Sequence, residues 1–168
     1  MSHVFTTRDL AAVGLGAGDL PRLQGLYHRC VDFVQLVFRR NVRSDEAAEL
    51  LAALPAGKDV ADKFVYGLEN AAGDLAGVIE LVRDFPGDGE WFLGLLLLAP
   101  EIRGSGAGTR VMDAVEARLR AEGATAVYLA VQEQNPRARR FWERRGFVMV
   151  HEAHDGVSRV FRLRKELA

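Results

Sequence analysis

The sequence predicts a mixed α/β fold, with a central, mostly antiparallel sheet that contains one parallel strand pair and has helices on both faces. Apolar residues recur at helical spacing before residue 64, and three strand-like runs separated by turn residues follow. A strand–helix–strand succession comes next, and such a crossover makes its two strands parallel. We therefore expect the element order ααβββαβαββ in a single domain that spans residues 1–168.

The first third of the chain, residues 1–60, is predicted to be helical. Asp19 is a suitable N-cap for a first helix, and Ser44 followed by two acidic residues is typical of a second helix start. Pro55 and Gly57 would end that second helix after three leucines between 50 and 54. The apolar stripe of the first helix consists of Leu23, Leu26, Tyr27, Cys30 and Val34.

Three β-strands are predicted next, at residues 64–68, 75–82 and 91–98. Turn-forming residues at 70–74 and 86–89 separate them, so they form an antiparallel meander. The third strand is apolar on both faces instead of alternating, which is typical of a central strand covered by helices on both sides.

The second half alternates helices and strands. A glycine-rich turn at 103–109 leads into a helix that ends near 119–121, and a strand follows at 126–131. Asn135 as N-cap, Pro136 at the first helical position and Gly146 after the last one bracket the next helix. Runs at 147–150 and 157–163 then predict a closing hairpin around Asp155-Gly156.

Charge and composition exclude several classes of function. The net charge of −1 provides no overall field for nucleic acid or anionic lipid. The longest uncharged apolar run has ten residues, whereas a membrane-spanning helix needs about 20. We expect neither a nucleic-acid nor a membrane partner, and the N-terminus does not resemble a secretory signal, so we expect a cytoplasmic protein. Cys30 is the only cysteine and no histidine pair has zinc spacing, so we expect no metal.

The glycine-rich turn, residues 103–109, lies between a buried strand and an amphipathic helix. Glycines allow backbone N–H groups to approach a ligand, and a helix N-terminus favours an anion. The alternative is that the glycines only make a tight connection. No Gly-Lys-Ser or Gly-Lys-Thr of a Walker A loop occurs, and the third glycine comes one position early for a dinucleotide fingerprint.

Two motifs carry a resemblance to a known family. The turn reads R-x-x-G-x-G over 103–108, and the segment 135–147 reads N-x-x-A-x-x-F-W-E-x-x-G-F. Both, in this order, resemble the signatures of the GCN5-related N-acetyltransferase (GNAT) family. The resemblance covers roughly residues 65–163 and implies acetyl-coenzyme A, or a related acyl thioester, as cosubstrate.

The resemblance also implies which residues hold the cosubstrate. Backbone amides of the glycine-rich turn would bind the pyrophosphate, and the end of the third predicted strand would pair with the pantetheine amides. Asn135 and a nearby arginine would approach the pantetheine or the nucleotide, although Asn135 has an equally good explanation as a helix cap. The implied residues are Leu96, Leu97, Leu98, Arg103, Gly104, Ser105, Gly106, Ala107, Gly108, Thr109, Asn135, Arg139, Arg140 and Trp142.

The acid–base groups follow the family pattern less closely. Trp142 stands where many members carry the tyrosine that protonates the leaving thiolate, and Phe92 and Ala130 stand near positions of family glutamates. Glu80, inside an apolar strand, and Glu90, two residues before Phe92, are the candidate general bases. A third candidate is Glu133. The alternatives are an ordinary solvent-facing strand residue for Glu80 and an ordinary turn residue for Glu90.

We expect an acetyl-CoA-dependent N-acetyltransferase that moves an acetyl group to a primary amine by direct attack. The alternative is a noncatalytic acyl-CoA-binding or regulatory module on the same fold. The acceptor, a small-molecule or peptide amine, would meet the helical region 1–60, where no motif identifies it. Homodimers are common among relatives and are an expectation here.

Overall fold

The computed structural model describes residues 3–167 and contains one eight-stranded sheet in the spatial order β1-β2-β3-β4-β5-β6-β8-β7. The strands are β1 (Phe5–Thr6), β2 (Ala11–Gly14), β3 (Lys63–Glu69), β4 (Leu75–Arg83), β5 (Glu90–Leu98), β6 (Ala126–Gln132), β7 (Val148–His154) and β8 (Arg159–Glu166). The helices are α1 (Leu20–Arg29), α2 (Val31–Phe38), α3 (Glu46–Ala52), α4 (Ala107–Ala121) and α5 (Pro136–Arg144).

The predicted sheet is confirmed in its topology. Strands β3, β4 and β5 form the antiparallel meander, and β7 and β8 form the closing hairpin. The only parallel neighbours in the described part of the chain are β5 and β6, which α4 connects. This pair lies inside the sheet, with four strands beyond β5 and two beyond β6, and the chain leaves β5 towards the start of α4.

Helices cover the sheet on both faces, as the apolar character of β5 predicts. On one face, Met112 and Val115 of α4 pack with Leu93 of β5. On the other face, Leu26 of α1 and Val34 of α2 pack with residues of β3, β4 and β5. Because β5 contributes to both clusters, it is held rigidly between two hydrophobic cores.

The prediction that the first 60 residues are only helical was wrong. Two short strands, β1 and β2, precede α1, and β2 pairs with β3. The first predicted helix is two helices, because Cys30 leaves the helical conformation between α1 and α2. Its N–H still bonds to the carbonyls of Leu26 and Tyr27, so the predicted stripe stays buried across the break.

The helix boundaries of the second half are confirmed. Helix α4 ends at Ala121 before Gly123, whose φ is +83°, and Asn135 caps α5 by accepting a bond from the Ala138 N–H at 3.2 Å. Strand β7 begins one residue after the buried Phe147 and is exposed along its whole length. No helix within residues 3–167 is long and apolar enough to cross a membrane.

Candidate functional site

The parallel pair at the sheet centre separates halfway along its length. The β5–β6 ladder joins residues 90–93 to 126–129 and then stops. Beyond it β5 continues to Leu98 against β4, and β6 continues to Gln132 against β8. We call the gap between residues 94–98 and 130–132 the strand opening. It leaves one edge of β5 free for an extended ligand.

A β-bulge lies where the strand opening begins. The β4–β5 register shifts so that Glu80 faces Leu95 and the next residue faces Leu93, which makes Gly94 the extra residue. A Cβ on Gly94 would lie 2.5 Å from Glu80 Oε2, so only glycine accommodates the carboxylate there. The bulge therefore brings a carboxylate to the inner end of the strand opening.

Backbone groups of β5 point into the strand opening. The Ala99 N–H bonds to Ala76 O on the β4 side at 2.8 Å. Because hydrogen-bonding direction alternates along a strand, Leu96 and Leu98 direct their N–H and C=O groups to the opposite side. The Leu98 carbonyl accepts a bond from Arg103 Nε at 2.8 Å, which leaves Leu96 as the better partner for a ligand amide.

The glycine turn, residues 103–109, forms the outer end of the strand opening. Gly104 and Gly106 have φ values of +74° and +81°, which side chains rarely tolerate. Gly106 is the N-cap of α4, no side chain caps that helix, and its first turn contains no acidic residue. The first N–H groups of a 15-residue helix are therefore available to an anion.

Gly108 lets α5 approach the glycine turn closely. A Cβ at Gly108 would lie 3.4 Å from the Phe141 ring and 3.6 Å from the Leu98 side chain. This close approach makes α5 the second wall of the cleft. In the glycine turn, Gly108 is thus required for helix packing, whereas Gly104 and Gly106 are required for the backbone conformation.

These elements enclose a cleft of about 480 Å³. Its lining includes most of the residues expected from the family resemblance, namely Leu96, Leu97, Leu98, Arg103, Gly104, Gly106, Gly108, Thr109, Asn135 and Trp142. Two expected residues point elsewhere: the Ser105 hydroxyl donates to the Ile102 carbonyl at 2.6 Å, and Ala107 is buried. Their side chains contribute to folding the turn, and only their backbone groups remain candidates for binding.

The arginines at the cleft differ from those expected. Arg139 stacks on Phe161 at 4.3 Å and pairs with Glu143, and Arg140 is exposed outside the lining. Arg137 and Arg144 line the cleft instead. Arg137, Phe141 and Arg144 are at positions i, i+4 and i+7 and therefore share one face of α5. Helical spacing from Phe141 could have identified both arginines in the sequence.

Helix α2 forms the roof of the cleft, and its lining residues were not among those expected to hold the cosubstrate. Asp32, Phe33 and Leu36 line the cleft, and Asp32 accepts two bonds from the Arg103 guanidinium, at 2.5 and 3.3 Å. The Arg103 hydrogen bond lowers the pKa of Asp32 below its ordinary value. Arg103 thus ties α2 to both the glycine turn and the end of β5.

Two of the three candidate bases do not lie at the bulge and are bonded to other groups. Glu90 accepts a bond from the Tyr128 hydroxyl at 3.2 Å at the paired end of β5, and Glu133 binds the Arg159 backbone and side chain. Glu80 is the carboxylate at the bulge, and its Oε1 lies 2.8 Å from Nζ of the buried Lys63. Within the described residues, no cluster of three or more His, Cys, Asp or Glu is placed to hold a metal ion.

Trp142 both lines the cleft and belongs to the core. It is 7% exposed and packs edge-on against Phe141 at 4.7 Å and Phe147 at 5.3 Å. Burial against two rings fixes its position. Its indole N–H is a hydrogen-bond donor without acid strength comparable to that of a phenol.

Solved structures with the same architecture are known. An acetyltransferase from Thermus thermophilus has 21% identity, covers 98% of this chain and 99% of its own, and superposes with a TM-score of 0.77. A spermidine N-acetyltransferase from Vibrio cholerae, solved with CoA and spermine, has 20% identity, coverage of 95% and 96%, and a TM-score of 0.73. A GCN5-related N-acetyltransferase from Kribbella flavida has 19% identity, coverage of 94% and 98%, and a TM-score of 0.69. At these identities the likeness shows the fold.

The family follows from the sequence itself. Residues 28–147 match the sequence model of the Acetyltransferase (GNAT) family. That range includes the cleft roof, the strand opening, the glycine turn and all of α5. The chain therefore belongs to the GNAT acetyltransferase family, whose members transfer an acetyl group from acetyl-CoA.

Proposed function

We propose that this protein transfers the acetyl group of acetyl-CoA directly to a primary amine that binds at the β4–β5 bulge. The observation that carries the proposal is the path along β5 from the uncapped N-terminus of α4, past the strand opening, to the bulge at Gly94 and Glu80. A pyrophosphate, a pantetheine chain and a thioester occur in that order along acyl-CoA. The path offers a complementary group to each.

The residues present fit this cosubstrate. The pyrophosphate would accept hydrogen bonds from the backbone N–H groups of 104–109, and Arg137 and Arg144 would add positive charge. The free edge at Leu96 would pair with the pantetheine amides, as an added strand does. The aliphatic and aromatic lining from Leu96, Phe141 and Trp142 would exclude water from the thioester.

The chemistry needs a neutral amine, an acceptor for its proton and a leaving thiolate. The amine nitrogen forms a bond to the thioester carbonyl carbon while the carbon–sulfur bond breaks and sulfur leaves as thiolate. We infer that Glu80 accepts the proton that the nitrogen releases, directly or through water, because it is the carboxylate against the bulge. Trp142 supplies no acid, so the thiolate would leave unassisted or take a proton from water.

A noncatalytic acyl-CoA binder is the second candidate function. Trp142 in place of the family tyrosine and the engagement of Glu80 by Lys63 favour it. In that case the cleft would bind acyl-CoA with similar residues, and no amine would be acetylated. The two functions therefore differ only in turnover.

Thermal unfolding with acetyl-CoA, CoA and NADPH, followed by a turnover assay, tests the proposal. Acetyl-CoA at 100 times its dissociation constant should add about 2.7 kcal/mol, which raises the Tm of a chain this long by about 5–10 °C. CoA release is then measured with a thiol-reactive dye against a panel of amines that includes spermidine and spermine. Stabilisation with release of CoA supports the transferase, and stabilisation without release from any amine supports the binder. No stabilisation by either CoA species contradicts both.

A further inference from the structure

The sheet face beside the strand opening is partly uncovered. Cross-strand pairing places Phe92 with Tyr128 and Ala130 with Arg162 on the face that carries Glu80. We call this group, together with Gly94, the open sheet face. Gly94 and Ala130, the two small residues that flank the start of the strand opening, are both exposed there. An acceptor can therefore reach the bulge from this side.

Arg162 extends over this entrance. Its guanidinium carbon lies 5.8 Å from the Phe92 ring centroid, although Arg162 is on β8 and Phe92 is two strands away on β5. Two strand spacings correspond to roughly 10 Å, so the side chain must cross β6. It crosses where β6 carries Ala130, whose methyl group leaves the space open. The guanidinium therefore lies beside the exposed start of the strand opening.

The charged groups that neighbour Arg162 on this face are already paired. Arg164 lies 3.8 Å from Glu90 and 2.7 Å from Glu166, and Lys63 pairs with Glu80. Among residues 3–167, no carboxylate lies within 4.0 Å of the Arg162 guanidinium. Within this described range, the Arg162 guanidinium at the entrance to the bulge is thus a permanent charge that no carboxylate compensates.

We propose that Arg162 binds a carboxylate of the acceptor, so that the acceptor class is an α-amino acid whose amine is acetylated at the bulge. This inference rests on the proposed function. The guanidinium fork matches a carboxylate in bidentate geometry, and it repels a polyamine. In an α-amino acid one carbon separates the amine from the carboxylate, which suits an arginine beside the bulge. Phe92 and Tyr128 provide an aromatic surface for the amino-acid side chain.

Matched acceptor pairs test the proposal. We would compare the kcat/KM of L-phenylalanine with that of phenethylamine, and the kcat/KM of L-leucine with that of 3-methylbutylamine. The two members of each pair differ only by the carboxylate. Spermidine is included as a polycationic acceptor. The variants are Arg162→Gln, Arg162→Glu and the control Arg159→Gln, whose arginine on the same strand already pairs with Glu133 and Glu152. Calorimetry of the same ligands with the CoA-loaded protein gives a readout independent of turnover.

The wild type and Arg159→Gln should prefer the amino acids over their amines. In Arg162→Gln, kcat/KM for the amino acids should fall by about 10- to 100-fold while the values for the amines and the acetyl-CoA affinity stay within about twofold. Arg162→Glu should shift the preference toward spermidine. Equal use of each acceptor pair by the wild type, or equal losses for both members in Arg162→Gln, would overturn the proposal. Selective binding of amino acids without turnover would support the carboxylate site and contradict only the proposed transfer.

Discussion

Replacing Glu80 by Gln tests whether the carboxylate at the bulge accepts the proton of the amine. The change removes one charge and keeps the shape of the side chain. The Glu80 side chain is 14% exposed and that of Lys63 is 4% exposed, with 2.8 Å between the charged atoms. Removing one partner of a buried pair costs about 3–5 kcal/mol. Gln retains an acceptor oxygen and Lys63 also donates to the Ala53 carbonyl, so we expect about 1–2 kcal/mol here.

The expected effect on activity is much larger than the effect on stability. Loss of a general base lowers kcat by about 100- to 10,000-fold, whereas a cost of 1–2 kcal/mol lowers the Tm by about 2–8 °C. Glu90→Gln is the matched control, since Glu90 lies on the same sheet face, four residues and roughly 13 Å along β5 from Gly94.

The assay is the initial rate of CoA release across pH 6–9, with Tm and acetyl-CoA affinity measured for each variant. Glu90→Gln should retain the wild-type rate. If Glu80→Gln kept its rate within a few-fold and the pH profile of the wild type, the assignment of Glu80 as the base would be refuted.

Three further changes test the glycine turn, the roof and the core. Gly104→Ala and its control Gly123→Ala both place a side chain at positive φ with open space around the Cβ. Each should lower the free energy of unfolding, measured with denaturant, by about 1–2 kcal/mol. Only Gly104→Ala should weaken acetyl-CoA binding. Asp32→Asn should change the unfolding free energy by less than about 1 kcal/mol, because the side chain is 61% exposed, yet it should speed amide exchange in α2 by releasing Arg103. Glu116→Gln, which removes the buried partner of Arg120, Arg145 and Lys165, should cost about 3 kcal/mol. Burial raises the pKa of Glu116, but hydrogen bonds from Lys165 and Arg145 outweigh it and hold the pKa below its ordinary value of 4.5. Its contribution to stability is therefore complete above that pH and is lost in acid unfolding as pH falls through the lower folded pKa.

The part of the fold with strong local signals was predictable from the sequence. The apolar run of β5 indicated a central strand, and the crossover through α4 indicated the parallel pair. The cap at Asn135 and the glycine at 146 placed the ends of α5. These predictions succeeded because helix caps and apolar periodicity are local signals, which depend on residues that are close together in the sequence.

The missed elements have weak or nonlocal signals. Strand β2 is Ala-Ala-Val-Gly, which offers no alternation, and it exists because the free edge of β3 pairs with it. The break at Cys30 leaves the apolar stripe intact, so periodicity alone does not distinguish one helix from two.

The site shows the same division. The glycine turn was identified from its motif, whereas the contact of Arg103 with Asp32 joins residues 71 positions apart. The place of Arg162 at the entrance depends on the register of β6 with β8 and on the small Ala130. Register between strands is set by the whole sheet, so no local pattern predicts which arginine faces the bulge.

A crystal structure of the protein with CoA tests the central claim most directly. We predict that the pyrophosphate lies on the backbone N–H groups of the glycine turn and that the pantetheine occupies the strand opening against Leu96, with its sulfur near Gly94. CoA bound elsewhere, with β5 and β6 closed against each other or the first turn of α4 free of phosphate, would contradict the site proposed here.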